Sequence, residues 1–160
     1  MTTFQSAKAV VELLKAKNQS VAVAESLTGG GLGAAITAVG GASNVFLGGV
    51  IAYSPTVKES LLKVKKEAIA TFGVVSEEIA VAMADGIREL LGSTWGISTT
   101  GVAGPGDACG VAAGTVWIAI SGPINQSIQL EVEGEREVVR NASVSSAISA
   151  FERILISLKA

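Results

Sequence analysis

Val21-Ala22-Val23-Ala24-Glu25-Ser26-Leu27-Thr28-Gly29-Gly30-Gly31 is a short apolar run that empties into a polar, glycine-rich turn. Four small apolar residues in a row suit a strand buried on both faces, and such strands belong to sheets covered by helices. Downstream, Leu32 to Val39 is expected to be helical and Val45 to Tyr53 a second strand. Upstream, Ala7 to Lys17 sets Val10, Val11, Leu13 and Leu14 at helical spacing with lysines on the other side, which predicts an amphipathic helix. Ser54 before Pro55 is an N-cap followed by a first helical residue, so Thr56 to Leu62 begins a helix with Lys58 in its first turn. The spacing extends this helix through Lys63 to Phe72, with a stop at Gly73. Ser76 caps a further helix, Glu77 to Leu91, which Gly92 ends. Trp95 to Thr99 reads as a strand, Gly101 to Gly114 as a loop, and Thr115 to Ser121 and Ser127 to Glu133 as an antiparallel pair joined tightly at Gly122-Pro123. Glu135 to Leu158 closes the pattern as a long helix. Alternating strands and helices with an antiparallel ending predict an α/β fold: a three-layer α/β/α sandwich around a mixed, mostly parallel sheet, as one domain over residues 1–160. No repeat, low-complexity tract or linker divides it.

Composition removes several functions. Twelve Lys plus Arg against 14 Asp plus Glu leave no basic footprint, so nucleic acid is not expected as a partner. The absence of histidine excludes Ser-His-Asp triads, Cys-His dyads and His-ligated zinc. A lone cysteine, Cys109, forms no internal disulfide, and the start of the chain lacks a charged segment followed by an apolar run; both fit a cytoplasmic location. Leu27 to Val57 carries no charge, and Ala34 to Tyr53 approaches the length of a membrane span. Gly40-Gly41, Ser43, Asn44 and Gly48-Gly49 break it, so a buried helix, turn and strand are expected instead, and no membrane partner. Ala108 to Leu130, broken by Gly114 and Gly122-Pro123, reads the same way. An apolar fraction of 49% points to buried subunit contacts and hence a homo-oligomer.

In such sheets ligands bind beyond the carboxyl ends of the strands. Three loops lie there, Glu25 to Gly31, Tyr53 to Lys58 and Thr99 to Gly110. Gly29-x-Gly31-x-x-Ala34 loosely matches a dinucleotide fingerprint, but no acid follows until Glu59, whereas ribose binding needs one about 20 residues on. Ser26 sits at a strand exit as the serine of an α/β-hydrolase elbow does, although Ala24 and Thr28 replace that motif's glycines. Without histidine, an activated serine requires a base such as a lysine of lowered pKa. Lys58 is the candidate, because the stretch before it is uncharged and apolar surroundings disfavour an ammonium; its plain alternative is a solvated helix-surface lysine. Ser60-Leu61-Leu62-Lys63 offers a rival S-x-x-K spacing without the S-D-N or K-T-G strings that accompany it. Arg136 and Arg140, four residues apart, share a helix face that suits a phosphate or carboxylate, or else pair with Glu133, Glu135 or Glu137. Cys109 has no base beside it in sequence, and Trp95 and Trp117 are expected to pack within strands.

Five strings in order, Ala24-Glu25-Ser26-Leu27-Thr28-Gly29-Gly30, Tyr53-Ser54-Pro55-Thr56-Val57-Lys58, Gly73-Val74-Val75-Ser76, Thr100-Gly101-Val102-Ala103-Gly104-Pro105 and Gly114-Thr115-Val116-Trp117, resemble the CinA C-terminal domain family from about Leu13 to Ala150. That resemblance implies a nicotinamide-nucleotide amidohydrolase. It would convert nicotinamide mononucleotide to nicotinic acid mononucleotide and ammonia, in pyridine nucleotide recycling, with no cofactor. It implies Ser26 as nucleophile, Lys58 as its activating base and Tyr53 as a third catalytic group. Substrate binding is expected from Thr28, Gly29 and Gly30, from Thr100, Gly101, Ala103 and Gly104, and from Arg136 and Arg140, with backbone donors at Gly29 and Gly30 for the oxyanion and Arg140 for phosphate. Many relatives carry cysteine at Leu27 and asparagine at Pro55. Gly106 to Ala113 replaces a longer loop that often ends Lys-Pro-x-Gly, a difference that bears on substrate identity. The alternatives are an amidase of another small amide, and a catalytically silent nucleotide-binding or competence-associated interaction module.

Overall fold

A computed structural model describes residues 1–158; the last two residues of the expected 1–160 domain lie outside the described residues. Helix α1 spans Thr3–Lys17, strand β1 Val21–Glu25 and helix α2 Gly31–Thr37; a single 3-10 turn at Ala42–Asn44 leads into β2, Phe46–Ile51. Helices α3 (Pro55–Ser60), α4 (Lys66–Phe72) and α5 (Glu77–Leu91) precede β3 (Trp95–Gly101), β4 (Thr115–Ser121) and β5 (Gln126–Glu131), and α6 covers Arg136–Ser157. Helix α1 begins before the expected Ala7 because Thr2 and Gln5 form a reciprocal capping box.

The five strands form one sheet in the order β2-β1-β3-β4-β5. Strand β1 pairs in parallel with β2 and β3, and β4 runs antiparallel to β3 and β5, so β4 alone opposes the common direction. Every residue of β1 is buried, as a central parallel strand requires. Val21 and Val23 join the larger core under α1, α2 and α6, while Ala22 and Ala24 join the smaller one under α5. Three layers result. Small residues on the α5 side let that helix lie close: a Cβ on Gly96 would stand 2.2 Å from the Ala84 carbonyl oxygen. On the other face Trp95 meets Phe151 edge-on at 5.3 Å and donates from Nε1 to Gln19.

The expected helix from Lys63 to Phe72 is corrected. The chain leaves α3 at Leu61, and Lys63 adopts φ +58°, so that Leu62 and Val64, on either side of it, both bury in the α5-side core. Burial of two apolar side chains outweighs one strained backbone residue here. Helix α4 restarts at Lys66. The charge-free stretch from Ala34 to Tyr53 folds as the end of α2, the 3-10 turn and β2, and among the described residues no helix is long and apolar enough to cross a membrane.

Candidate active site

Strands β1 and β3 end side by side, and the turn after β1 carries Ser26, whose N–H donates to the Thr99 carbonyl at 3.0 Å. The Ser54 hydroxyl accepts from Val57 N–H and Pro55 occupies the first turn, which starts α3 immediately after β2. That start turns Lys58 inward. Its side chain is 2% exposed, with Nζ 3.2 Å from Ser26 Oγ and 2.6 Å from the Ala52 carbonyl oxygen. Desolvation lowers the Lys58 pKa from 10.5 to about 8. A lysine in that range holds a substantial neutral fraction near neutrality, and the Ala52 carbonyl fixes the direction of one of its N–H bonds. The Lys58 amine thus links Ser26 Oγ to the Ala52 carbonyl, the arrangement that a serine nucleophile with a lysine base would require.

Above this pair opens a cleft of about 330 Å³, walled by Tyr53, Pro55, Val74, Thr100, Val102 and the segment Ala103 to Cys109. Eight residues expected in the site line it together: Ser26, Tyr53, Lys58, Thr100, Gly101, Ala103, Gly104 and Arg136. Arg136 crosses the mouth, donating to the Gly104 carbonyl at 2.7 Å and to the Tyr53 hydroxyl at 2.9 Å. A neighbouring hollow of about 420 Å³ is lined by Thr28, Gly31, Arg136, Arg140 and Asn141 among others, so Arg136 belongs to both walls. Arg140 donates to the Leu27 and Thr28 carbonyls at 3.0 and 3.1 Å, tying α6 to the serine turn. Neither arginine pairs with Glu133, Glu135 or Glu137; among the described residues the ion pair is Lys15–Glu12.

One expectation is corrected. Gly29 and Gly30 line neither cavity, and Gly29 N–H is spent on the Ser26 carbonyl at 3.0 Å, so it is not an oxyanion donor. Both have positive φ, 56° and 101°, and serve the turn that brings the chain from β1 into α2. The Ser60–Lys63 spacing, which lacked its companion strings, forms no site: Lys63 bonds the Ser60 backbone carbonyl, and both residues are exposed.

Sequence reasoning passed over Glu25 and Thr99. The Glu25 carboxylate, 2% exposed, accepts from Leu32 and Gly33 N–H at 2.8 and 3.0 Å and caps α2, whose N-cap Gly30 has no side chain to do so. Its signal was an acid at the end of an apolar strand. Thr99 lies in the hydroxyl run Ser98-Thr99-Thr100 of an otherwise apolar strand, and all three are buried. They bond the Ala80 carbonyl, the Thr28 hydroxyl and the Val74 carbonyl in turn, so one strand fixes three neighbouring segments.

The model of the CinA C-terminal domain matches residues 3–155. The chain belongs to the CinA C-terminal domain family. It is 45% identical over 147 residues to a CinA-like protein of Synechococcus sp. strain RCC307, covering 89% of this chain and 35% of that one. A CinA-like protein of Parasynechococcus marenigrum strain WH8102 is 44% identical over 155 residues, covering 94% of this chain and 37% of its own length. The chain thus spans little more than a third of these curated relatives. The crystal structure of a CinA superfamily protein from Klebsiella pneumoniae superposes with a TM-score of 0.94 at 31% identity, covering 98% of this chain and 99% of that one. A competence/damage inducible protein from Agrobacterium tumefaciens gives 0.90 at 28% identity, over 99% and 96%. The five-stranded mixed sheet with flanking helices is therefore the CinA C-terminal fold.

Proposed function

We propose that the chain is a nicotinamide-nucleotide amidohydrolase, releasing ammonia from nicotinamide mononucleotide by a Ser-Lys mechanism that uses no metal or cofactor. The observation that carries this is the buried Lys58 amine, 3.2 Å from Ser26 Oγ at the carboxyl ends of the strands, in a chain without histidine. Neutral Lys58 takes the Ser26 proton as Oγ attacks the carboxamide carbon. The N–H of Leu27, the residue after the nucleophile, is the donor we assign to the oxyanion, by analogy with serine elbows. Lys58 then hands its proton to the departing ammonia, and water, deprotonated by the same amine, cleaves the acyl-enzyme to give the carboxylate. Tyr53, held by Arg136, faces the same cleft and orients the amide.

In this reading the pyridine carboxamide occupies the serine cleft and the phosphate the hollow between the serine turn and α6, with Arg136 lining both. There Arg136 and Arg140 supply positive charge beside Glu135 and Glu137, which also line the hollow. A cytoplasmic homo-oligomer active in pyridine nucleotide recycling, with no nucleic-acid or membrane partner, completes the reading. One observation favours a variant of it. Pro105 to Cys109, an exposed loop, form part of the cleft wall, so another small amide is the second candidate. Ammonia release from nicotinamide mononucleotide, nicotinamide riboside and a panel of small amides by the parent and by folded Ser26→Ala separates the cases. Release from the mononucleotide, lost in the variant, supports the first. Release from another amide supports the second, and none at all favours a silent binding module.

A further inference from the structure

We propose that Thr99, through its hydroxyl pair with Thr28, is a positioning residue for Ser26; this rests on Ser26 being the nucleophile. Thr99 grips the serine turn twice. Its carbonyl accepts from Ser26 N–H at 3.0 Å, and its Oγ1 lies 2.7 Å from Oγ1 of Thr28, two residues beyond the nucleophile. The Thr99 and Thr28 side chains are 0% and 1% exposed; Thr28 borders the neighbouring hollow, but Thr99 lines neither cavity, so Thr99 acts through Ser26 and not on substrate. Strand β3 is a firm place to act from: Ser98 and Thr100, on either side, anchor to the Ala80 and Val74 carbonyls at 2.5 and 2.8 Å.

The two hydroxyls satisfy each other in a buried position. Two valines would fill the same space, and removing both partners of a buried hydrogen bond by apolar isosteres is nearly neutral for stability. What the bond adds is a fixed distance between β3 and the turn, which a valine pair leaves to packing. On the other side of the turn Arg140 holds the Leu27 and Thr28 carbonyls, so the pair sets the inward limit of a segment already held from outside. Small misplacements of a reacting group cost rate steeply.

The test is kinetic, on Thr28→Val, Thr99→Val, the double variant and Thr99→Ser, each checked for folding. Each single valine variant lowers kcat by about tenfold or more, leaves KM within about twofold, and keeps the pH limb of Lys58 in place. The double variant loses no more than the worse single, and Thr99→Ser recovers most of the rate. Independent multiplicative losses, a change in KM with kcat intact, or full activity in Thr99→Val overturn the proposal. Covalent labelling of Ser26 by a fluorophosphonate follows the same rates without an amide substrate. A parent that labels but hydrolyses no amide defeats the amidase reading while the labelling rates still decide the Thr99 proposal. A parent that neither labels nor hydrolyses overturns both.

Discussion

The two walls of the cleft are built differently. On the inner wall Ser26, Lys58 and Thr100 are buried, and each is bonded to a strand, a strand exit or the segment before α5. The outer wall, Pro105 to Cys109, is exposed throughout and rests on a loop in which Gly106, Cys109 and Gly110 all have positive φ. Reacting groups need fixed geometry and a low dielectric, which only the packed side of a sheet offers. A loop tip tolerates change because little packs on it. The comparison assigns chemistry to the inner wall and choice of substrate to the outer one.

The largest effect expected from breaking the inner wall is on catalysis. Folded Ser26→Ala or Lys58→Ala should lower kcat by about 10³-fold or more, measured as ammonia release, since each removes a partner of one proton-transfer unit. The same burial that tunes Lys58 costs stability. Its folded pKa lies near 8, below the 10.5 of the exposed amine, so between these values the unfolded chain binds more protons and stability rises with pH. The penalty is fully present below pH 8. Lys58→Met should therefore raise stability there by roughly 1–2 kcal/mol once the lost bond to Ala52 is set against the relieved charge, and the gain should vanish toward pH 10.5 in chemical denaturation. A weaker variant sharpens the border between walls: Arg136→Ala frees Tyr53 and Gly104, and should raise KM for the mononucleotide by about tenfold with a smaller change in kcat. The smallest structural effect belongs to the outer wall. Substitutions at Gly106 and Ala108 should shift the ratio of activities on two amides while leaving stability within about 0.5 kcal/mol.

Much of the inner wall was legible in the sequence because its signals are local. The small apolar run of β1 and the Ser54-Pro55 start of α3 set Ser26 and Lys58 at neighbouring strand ends, and the charge-free approach to Lys58 favoured a buried amine over a solvated one. Features that depend on distant partners were not legible. Nothing near Lys63 in the chain shows that Gly86 would leave room for Leu62, which is what draws Leu62 and Val64 inward and breaks the helix. The glycines after Ser26 advertise free N–H groups, yet the turn consumes that of Gly29 itself. Arg136 and Arg140 were correctly placed on one face, but their acceptors are backbone carbonyls and the Tyr53 hydroxyl, 32 to 113 residues away, invisible to a reading that pairs charges by proximity.

The proposed mechanism turns on a buried lysine of lowered pKa whose neutral form activates Ser26. It is tested most directly by the pH dependence of ammonia release from nicotinamide mononucleotide at saturating substrate, over roughly pH 6 to 10, in the parent and in Lys58→Ala. The parent rate should rise with pH as Lys58 loses its proton and level off above about 8, with that limb absent from the residual activity of the variant. A parent rate that is flat across this range, or a variant that keeps both the limb and the rate, would contradict it.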